Sequence, residues 1–163
     1  MRWASTALSV AQVGGVHHPL PALDGVHGGL AYLQRFIAPT TQPGFDWRVL
    51  VVGGRAISAM RRVSAHWVHN IALGARAQAA RLEPALARLA EDAARALDMD
   101  YAGVDIMPAA QGAPLQVIEV NGVAAWQGLQ RVSEFNIARA LVDDLLDRRC
   151  VQASVQDSAL RRA

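Results

Sequence analysis

The rhythm of apolar and polar positions changes several times along this chain, and each change marks an element. Tyr32 to Ala38 alternates as a strand does, and Pro39 to Gly44 then supplies loop formers. Asp46 to Val52 and Arg55 to Arg61 are two more alternating runs, joined by Gly53-Gly54, a pair suited to a tight hairpin turn. Residues 63 to 81 show no clean period, which predicts a loop over the sheet. Leu82, Leu86, Leu89, Ala93 and Leu97 then recur at helical spacing, with Pro84 in a first turn. Tyr101 to Met107 reads as a strand, Pro108 to Ala113 as a turn, and Leu115 to Asn121 as the antiparallel partner. Ser133 is placed to cap a last helix, in which Ile137, Leu141 and Leu145 form a stripe with Ala138 and Val142 beside it. The expected class is α+β: antiparallel strands with two helices packed on them.

Residues 1–28 are the least legible segment, 29–150 read as one folded lobe, and 151–163 as a polar tail that frays. A chain of 163 residues is long enough for one domain with a real core. The single cysteine, Cys150, cannot form an internal disulfide, which suits a reducing cytoplasm. Trp3 to Gly15 is too short and too mixed with Ser and Gln to span a membrane, and it lacks the Leu-rich centre of a secretory signal. Every basic side chain is arginine, the net charge is only +2, and the Arg doublets are scattered without interleaved aromatics. That argues against a nucleic-acid surface. It also matters for phosphate chemistry, because arginine grips oxygens in a planar fork where lysine acts as a point charge.

Strand geometry singles out the segment from 101 to 122. Side chains alternate between faces, so Glu119 and Asn121 are expected to share a face with Leu115 and Val117, leaving Gln116, Ile118 and Val120 on the other. Asp105 faces away from Val104 and Ile106. If the strands pair through Gln111-Gly112, Asp105 stands close to Glu119 and Asn121. Two carboxylates and an amide oxygen are hard donors that suit Mg²⁺. Acidic strand residues can also simply face water. Here the apolar neighbours in Val117-Ile118-Glu119-Val120-Asn121-Gly122 suggest burial, and a buried charge needs a partner.

Tyr-Ala-Gly-Val-Asp-Ile-Met (101–107) followed by Val-Ile-Glu-Val-Asn-Gly (117–122) resembles the metal-binding segment of the ATP-grasp superfamily, in particular the RimK-type glutamate ligases, including those that glutamylate pterin cofactors. Three upstream segments match in the same order: Tyr-Leu-Gln-Arg-Phe-Ile (32–37), Phe-Asp-Trp-Arg-Val-Leu-Val-Val-Gly (45–53) and Asn-Ile-Ala-Leu-Gly-Ala (70–75). The resemblance implies an ATP-dependent carboxylate–amine ligase. A substrate carboxylate attacks the γ-phosphate of ATP to give an acyl phosphate and ADP, and an amine, with glutamate the expected substrate, then displaces phosphate.

The same resemblance assigns roles residue by residue. Asp105, Glu119 and Asn121 take the places of the Mg²⁺ ligands, with Mn²⁺ an alternative ion and Glu119 the bridge between two ions. Arg35 and Phe36 stand where the adenine is met. Family members often carry an acidic residue at Arg35, so that contact would rest on backbone groups. Asp46 resembles a ribose or nucleotide contact, Arg48 is placed for phosphate or acyl-phosphate oxygens, and Asn70 fits the loop over the phosphates. Trp67-Val68-His69 stands where a basic residue often precedes that asparagine. His17, His18, His27, His66 and His69 read as loop histidines, since none has ligand spacing on a helix. Trp126 either lines a substrate pocket or packs beneath the last helix.

The family's N-terminal substrate domain and the subdomain whose lysines hold the phosphates have no counterpart here. A truncated chain, a gene fragment or half of a split enzyme is therefore expected, with a catalytically inactive nucleotide- and metal-binding module as the alternative. Without the absent subdomain, Tyr32 and Phe36 would leave an apolar patch open for a homodimer.

Overall fold

The computed structural model describes residues 10–13, 16–19, 39–66, 69–108 and 114–160, which fall into two units, Met1–Ala38 and Pro39–Ala163. In the first unit, β1 (Val10–Val13) and β2 (Val16–Pro19) pair as an antiparallel hairpin, so His17 and His18 lie on a strand. The strand expected over Tyr32 to Ala38, with Arg35 and Phe36, lies outside the described residues.

The second unit is α+β, as its pattern predicts. β3 (Gly44–Val52), β4 (Arg55–Ser64), β5 (Arg76–Ala80), β6 (Tyr101–Met107) and β7 (Gln116–Asn121) form a five-stranded antiparallel sheet in the order β5-β4-β3-β6-β7. One face packs on α1 (Pro84–Ala96), where Leu86, Ala90 and Ala94 meet Val49, Val51, Val104 and Ile106. The alanines let the helix approach the strands closely, while Leu86 fills the remaining volume. On the other face Leu50, Val52 and Met60 pack with Leu129 of α2 (Gln127–Gln130) and Ile137 of α3 (Ile137–Leu160). Trp126 packs into that second core.

Several expectations need correction. Of the segment from 63 to 81, expected as a loop, the described residues are only partly so: β4 runs on to Ser64, Ile71–Leu73 is a 3₁₀ turn, and β5 is an edge strand. Arg-Ala-Gln-Ala-Ala has little strand propensity of its own, and ladder bonds to β4 hold it extended. The alternation along β7 is broken by a bulge. Asp105 pairs with Glu119 but Ile106 with Val117, leaving Ile118 as the extra residue. Leu115 and Val117 therefore join the α1-side core instead of sharing a face with Glu119, and Glu119 is exposed where its apolar neighbours suggested burial.

Ser133 does not cap α3. Its hydroxyl donates to the Leu129 carbonyl at 2.9 Å and bonds to the Ser58 hydroxyl. Asn136 Oδ1 accepts from Arg139 N, and Gln130 Oε1 accepts from Ile137 N, so these two side chains satisfy the helix start. The inward line of α3 passes from Ile137 and Leu141 to Asp144 and Arg148, so Leu145 is half exposed rather than part of the buried stripe. The helix also continues to Leu160, through the stretch expected to fray. Among the described residues no helix is long and apolar enough to cross a membrane.

The β3–β4 turn needs glycine at both positions, with φ of +58° at Gly53 and +75° at Gly54. Only Gly53 is also crowded, since a Cβ there would lie 2.1 Å from Asp144 Oδ1 of α3, whereas space at Gly54 is open. Gly54→Ala is expected to destabilise by about 1 kcal/mol and Gly53→Ala by at least about 2 kcal/mol. Urea unfolding midpoints measure both, and equal losses would show that Asp144 does not crowd Gly53 in solution.

Candidate functional site

β3 is the middle strand of the sheet and presents Asp46 and Arg48, two residues apart, on the same face as Leu50. Its neighbours complete a charged cluster at that end of the face. β4 sets Arg62 opposite Asp46, and β6 sets Asp105 opposite Arg48. Arg62 donates from Nε to Asp46 Oδ1 at 2.8 Å and from Nη2 to Asp46 Oδ2 at 2.6 Å, and the same Nη2 reaches Asp105 Oδ2 at 2.8 Å. Arg48 donates through Nε to Asp105 Oδ1 and through Nη2 to Asp105 Oδ2, the latter at 2.9 Å. Asp46, Arg62 and Asp105 are buried, and Arg48 nearly so. The result is a continuous chain of charge-assisted forks, Asp46–Arg62–Asp105–Arg48.

Burial works against charge at Arg62, but Asp46 and Asp105 outweigh it and hold the guanidinium above its already high range. Burial pushes the Asp46 carboxyl above the usual aspartate range; the bonds from Arg62 oppose this and the neighbouring Asp105 charge adds to it. His69 lies in a loop, as expected, but is buried behind the pair, with Nδ1 3.8 Å from Asp46 Oδ2. Burial lowers its pKa despite Asp46, which favours the neutral imidazole. Gly44 makes room for it: a Cβ there would lie 2.8 Å from His69 Nε2.

Glu119 is the direct cross-strand partner of Asp105, so their side chains share a face. Asn121 sits opposite Gly103 on the same side, and its Oδ1 accepts from Val123 N at 2.8 Å. Asn70 is exposed at the start of the 3₁₀ turn, where its Oδ1 accepts from Ala72 N. The described residues thus bring together Asp46, Arg48 and Asp105, with Glu119 beside them on the outer strand.

The RimK-like ATP-grasp domain family matches residues 22–145. This chain belongs to that family. Among relatives, it is 38% identical over 119 residues to the tetrahydromethanopterin:alpha-L-glutamate ligase of Methanococcus maripaludis, covering 73% of this chain and 40% of that enzyme. It is 36% identical over 104 residues to a probable alpha-L-glutamate ligase of Parasynechococcus marenigrum, covering 63% of this chain and 22% of the relative. A solved structure of the ATP-grasp ligase PsnB with a phosphomimetic variant of its minimal precursor, Mg and ADP aligns at a TM-score of 0.52 and 25% identity, over 64% of this chain and 32% of that one. The chain therefore spans less than half the length of these relatives.

In this ATP-grasp lobe, the oxygen-only donors Asp105, Glu119 and Asn121 suit Mg²⁺, which commonly takes one or two carboxylates together with substrate phosphate oxygens. Among the described residues no group of three Asp, Glu, His or Cys side chains is placed to hold a metal ion by itself. Arg62 and His69 belong to the cluster although neither stands out in the sequence as a site residue. Alternation from Ser58 through Met60 places Arg62 on the Asp46 face, but ending the strand at Arg61 hid it. For His69 the one signal was its position next to Asn70.

Arg62→Met would leave Asp46 buried without its main partner, and breaking a buried pair in this way costs about 3–5 kcal/mol. Chemical unfolding of the variant tests this. A loss within about 1 kcal/mol, the range of exposed pairs, would show that the fork is not buried in solution.

Proposed function

We propose that this chain supplies the nucleotide- and Mg²⁺-binding lobe of an ATP-dependent carboxylate–amine ligase that joins glutamate to a small-molecule cofactor or a protein. The observation that carries the reading is the Asp46–Arg62–Asp105–Arg48 fork with Glu119 across the strand, in a chain of this family. The relatives' names add glutamate, and in one case a pterin acceptor. Asp105, Glu119 and Asn121 would hold Mg²⁺, or Mn²⁺ in its place, and the bound ion would neutralise phosphate charge as the acyl phosphate forms.

Arg48 ends the fork, and we assign it to the phosphoryl oxygens as a fixed positive charge. Asp46 gives both oxygens to Arg62, so its part in nucleotide binding runs through that guanidinium. Asn70, with its oxygen engaged in the turn, keeps its amide N–H groups for a phosphate or ribose contact. Arg35 and Phe36 remain assigned to the adenine. We place the protein in the cytoplasm, where nucleotide is abundant and a lone Cys150 stays reduced.

A second reading is favoured by one observation: the chain matches only 40% of the M. maripaludis ligase. On its own it then acts as a catalytically inactive nucleotide- and metal-binding module. With Mg·ATP, glutamate and an amine acceptor, the 163-residue chain is expected to release no ADP. It should still bind Mg·ADP weakly, and Asp105→Asn should weaken that binding about tenfold or more, as loss of a charged contact does. Calorimetric or NMR titration tests this. Equal binding with and without Mg²⁺, or equal binding by the Asp105→Asn chain, would overturn the proposed function.

A further inference from the structure

We infer that Gly103 is a positioning residue for Arg48: its missing side chain is what lets Arg48 lie across β6 and present its guanidinium to Asp105. Gly103 occupies the middle of β6, where glycine packs nothing and weakens a strand. Its backbone does not call for glycine either, since it is not among the positive-φ residues. What it supplies is space. A Cβ at this position would lie 2.5 Å from Ala124 Cβ, 3.2 Å from Arg48 Cδ and 3.5 Å from Arg48 Nη1.

The two contacts do different things. Ala124 is buried, and its carbonyl accepts from the Tyr101 hydroxyl, so the turn that follows Asn121 is latched onto the sheet and has little room to retreat. Arg48 is a flexible chain, so it is the part that can give way. It would give way at its Cδ, next to the Nε that bonds Asp105. Alanine at 103 therefore imposes a packing collision with Ala124 and, separately, a displacement of Arg48. The structural effect is expected to run through Ala124 and the effect on the site through Arg48.

That separation gives the test, which rests on the proposed function only for its nucleotide arm. Gly103→Ala, Ala124→Gly and the Gly103→Ala/Ala124→Gly double variant are compared in the full 163-residue chain. Moving the methyl from 124 to 103 removes the 2.5 Å collision but keeps the 3.2 Å contact with Arg48. The double variant should thus regain the unfolding midpoint of Ala124→Gly.

Its Arg48 Nε–H resonance should nevertheless lose the protection from solvent exchange that a buried carboxylate partner confers. The Arg48→Gln chain, in which the resonance is missing, supplies the assignment. Affinity for Mg·ADP should fall about tenfold relative to Ala124→Gly, the cost of a misplaced charged hydrogen bond. A double variant that recovers both stability and Arg48 protection would reduce Gly103 to a packing residue and overturn the proposal, as would a single variant whose Arg48 signal is unchanged. If the parent chain fails to bind Mg·ADP, the nucleotide assignment falls, while the Arg48 signal still decides the role of Gly103.

Discussion

Two carboxylates and two guanidiniums, bonded in series across three strands, are the constraint on which the rest of this lobe depends. Such a group adds little net stability compared with well-packed apolar side chains, but it is costly to leave incomplete, because any one loss strands a charge away from water. What it supplies is register. Side chains on a strand repeat with a period of two, so a slip of one residue in β3 would send Asp46 and Arg48 into the apolar side beneath α1 and bring Trp47 and Val49 round to the charged end. The fork and the apolar core thus require the same pairing of β3 with β4 and β6.

The bulges show how one sheet meets both demands. On β7 the extra residue Ile118 lets Leu115 and Val117 turn into the core with Ile106, while Glu119 and Asn121 remain on the Asp105 side. A strictly alternating β7 could satisfy the core or the charged face but not both over this length. On β4 the register shift between Leu50 and Val51 leaves Ile57 as the extra residue. Nearby, Ala56 N donates at 3.0 Å to Glu91 of α1, which ties the helix to the hairpin it covers.

How much of this was legible in the sequence depended on whether a residue's fate was set locally. The Gly53-Gly54 turn, the Pro84 helix start and the Tyr101–Met107 strand follow from backbone preference and period, and the structure has all three. Asp105 facing away from Val104 and Ile106, and Asp46 sharing a face with Arg48, follow from strand alternation and were also readable. The β7 bulge was not, because an extra residue is specified by what the partner strand offers and not by the run in which it sits. β5 was unreadable for a related reason: its alanines and glutamine carry no strand signal, and only β4 makes them a strand. Arg62 stood within reach of the same alternation rule, but an Arg doublet looks like a solvated strand end. The helix stripe failed at Leu145 because the inward position is taken by Asp144, which sits against Gly53 and pairs with Arg148.

The charge balance of the fork bears on how a ligand would enter under the proposed function. Asp46 and Asp105 are matched by Arg48 and Arg62, with Arg62 shared between both carboxylates, so the buried cluster is formally neutral as it stands. A bare divalent cation competing for Asp105 would release Arg48 into a site already holding surplus positive charge, with Glu119 across the strand to offset part of it. A bare polyphosphate would draw Arg48 away and leave Asp105 short of a partner. Metal and phosphate arriving together would avoid both penalties, with Asp105 free to hold the ion and Arg48 free to meet phosphate oxygens. In a poorly solvated site each unbalanced charge costs several kcal/mol, roughly the scale of the whole binding energy of a weak ligand. Under the proposed function the fork would therefore accept nucleotide and magnesium as a single unit.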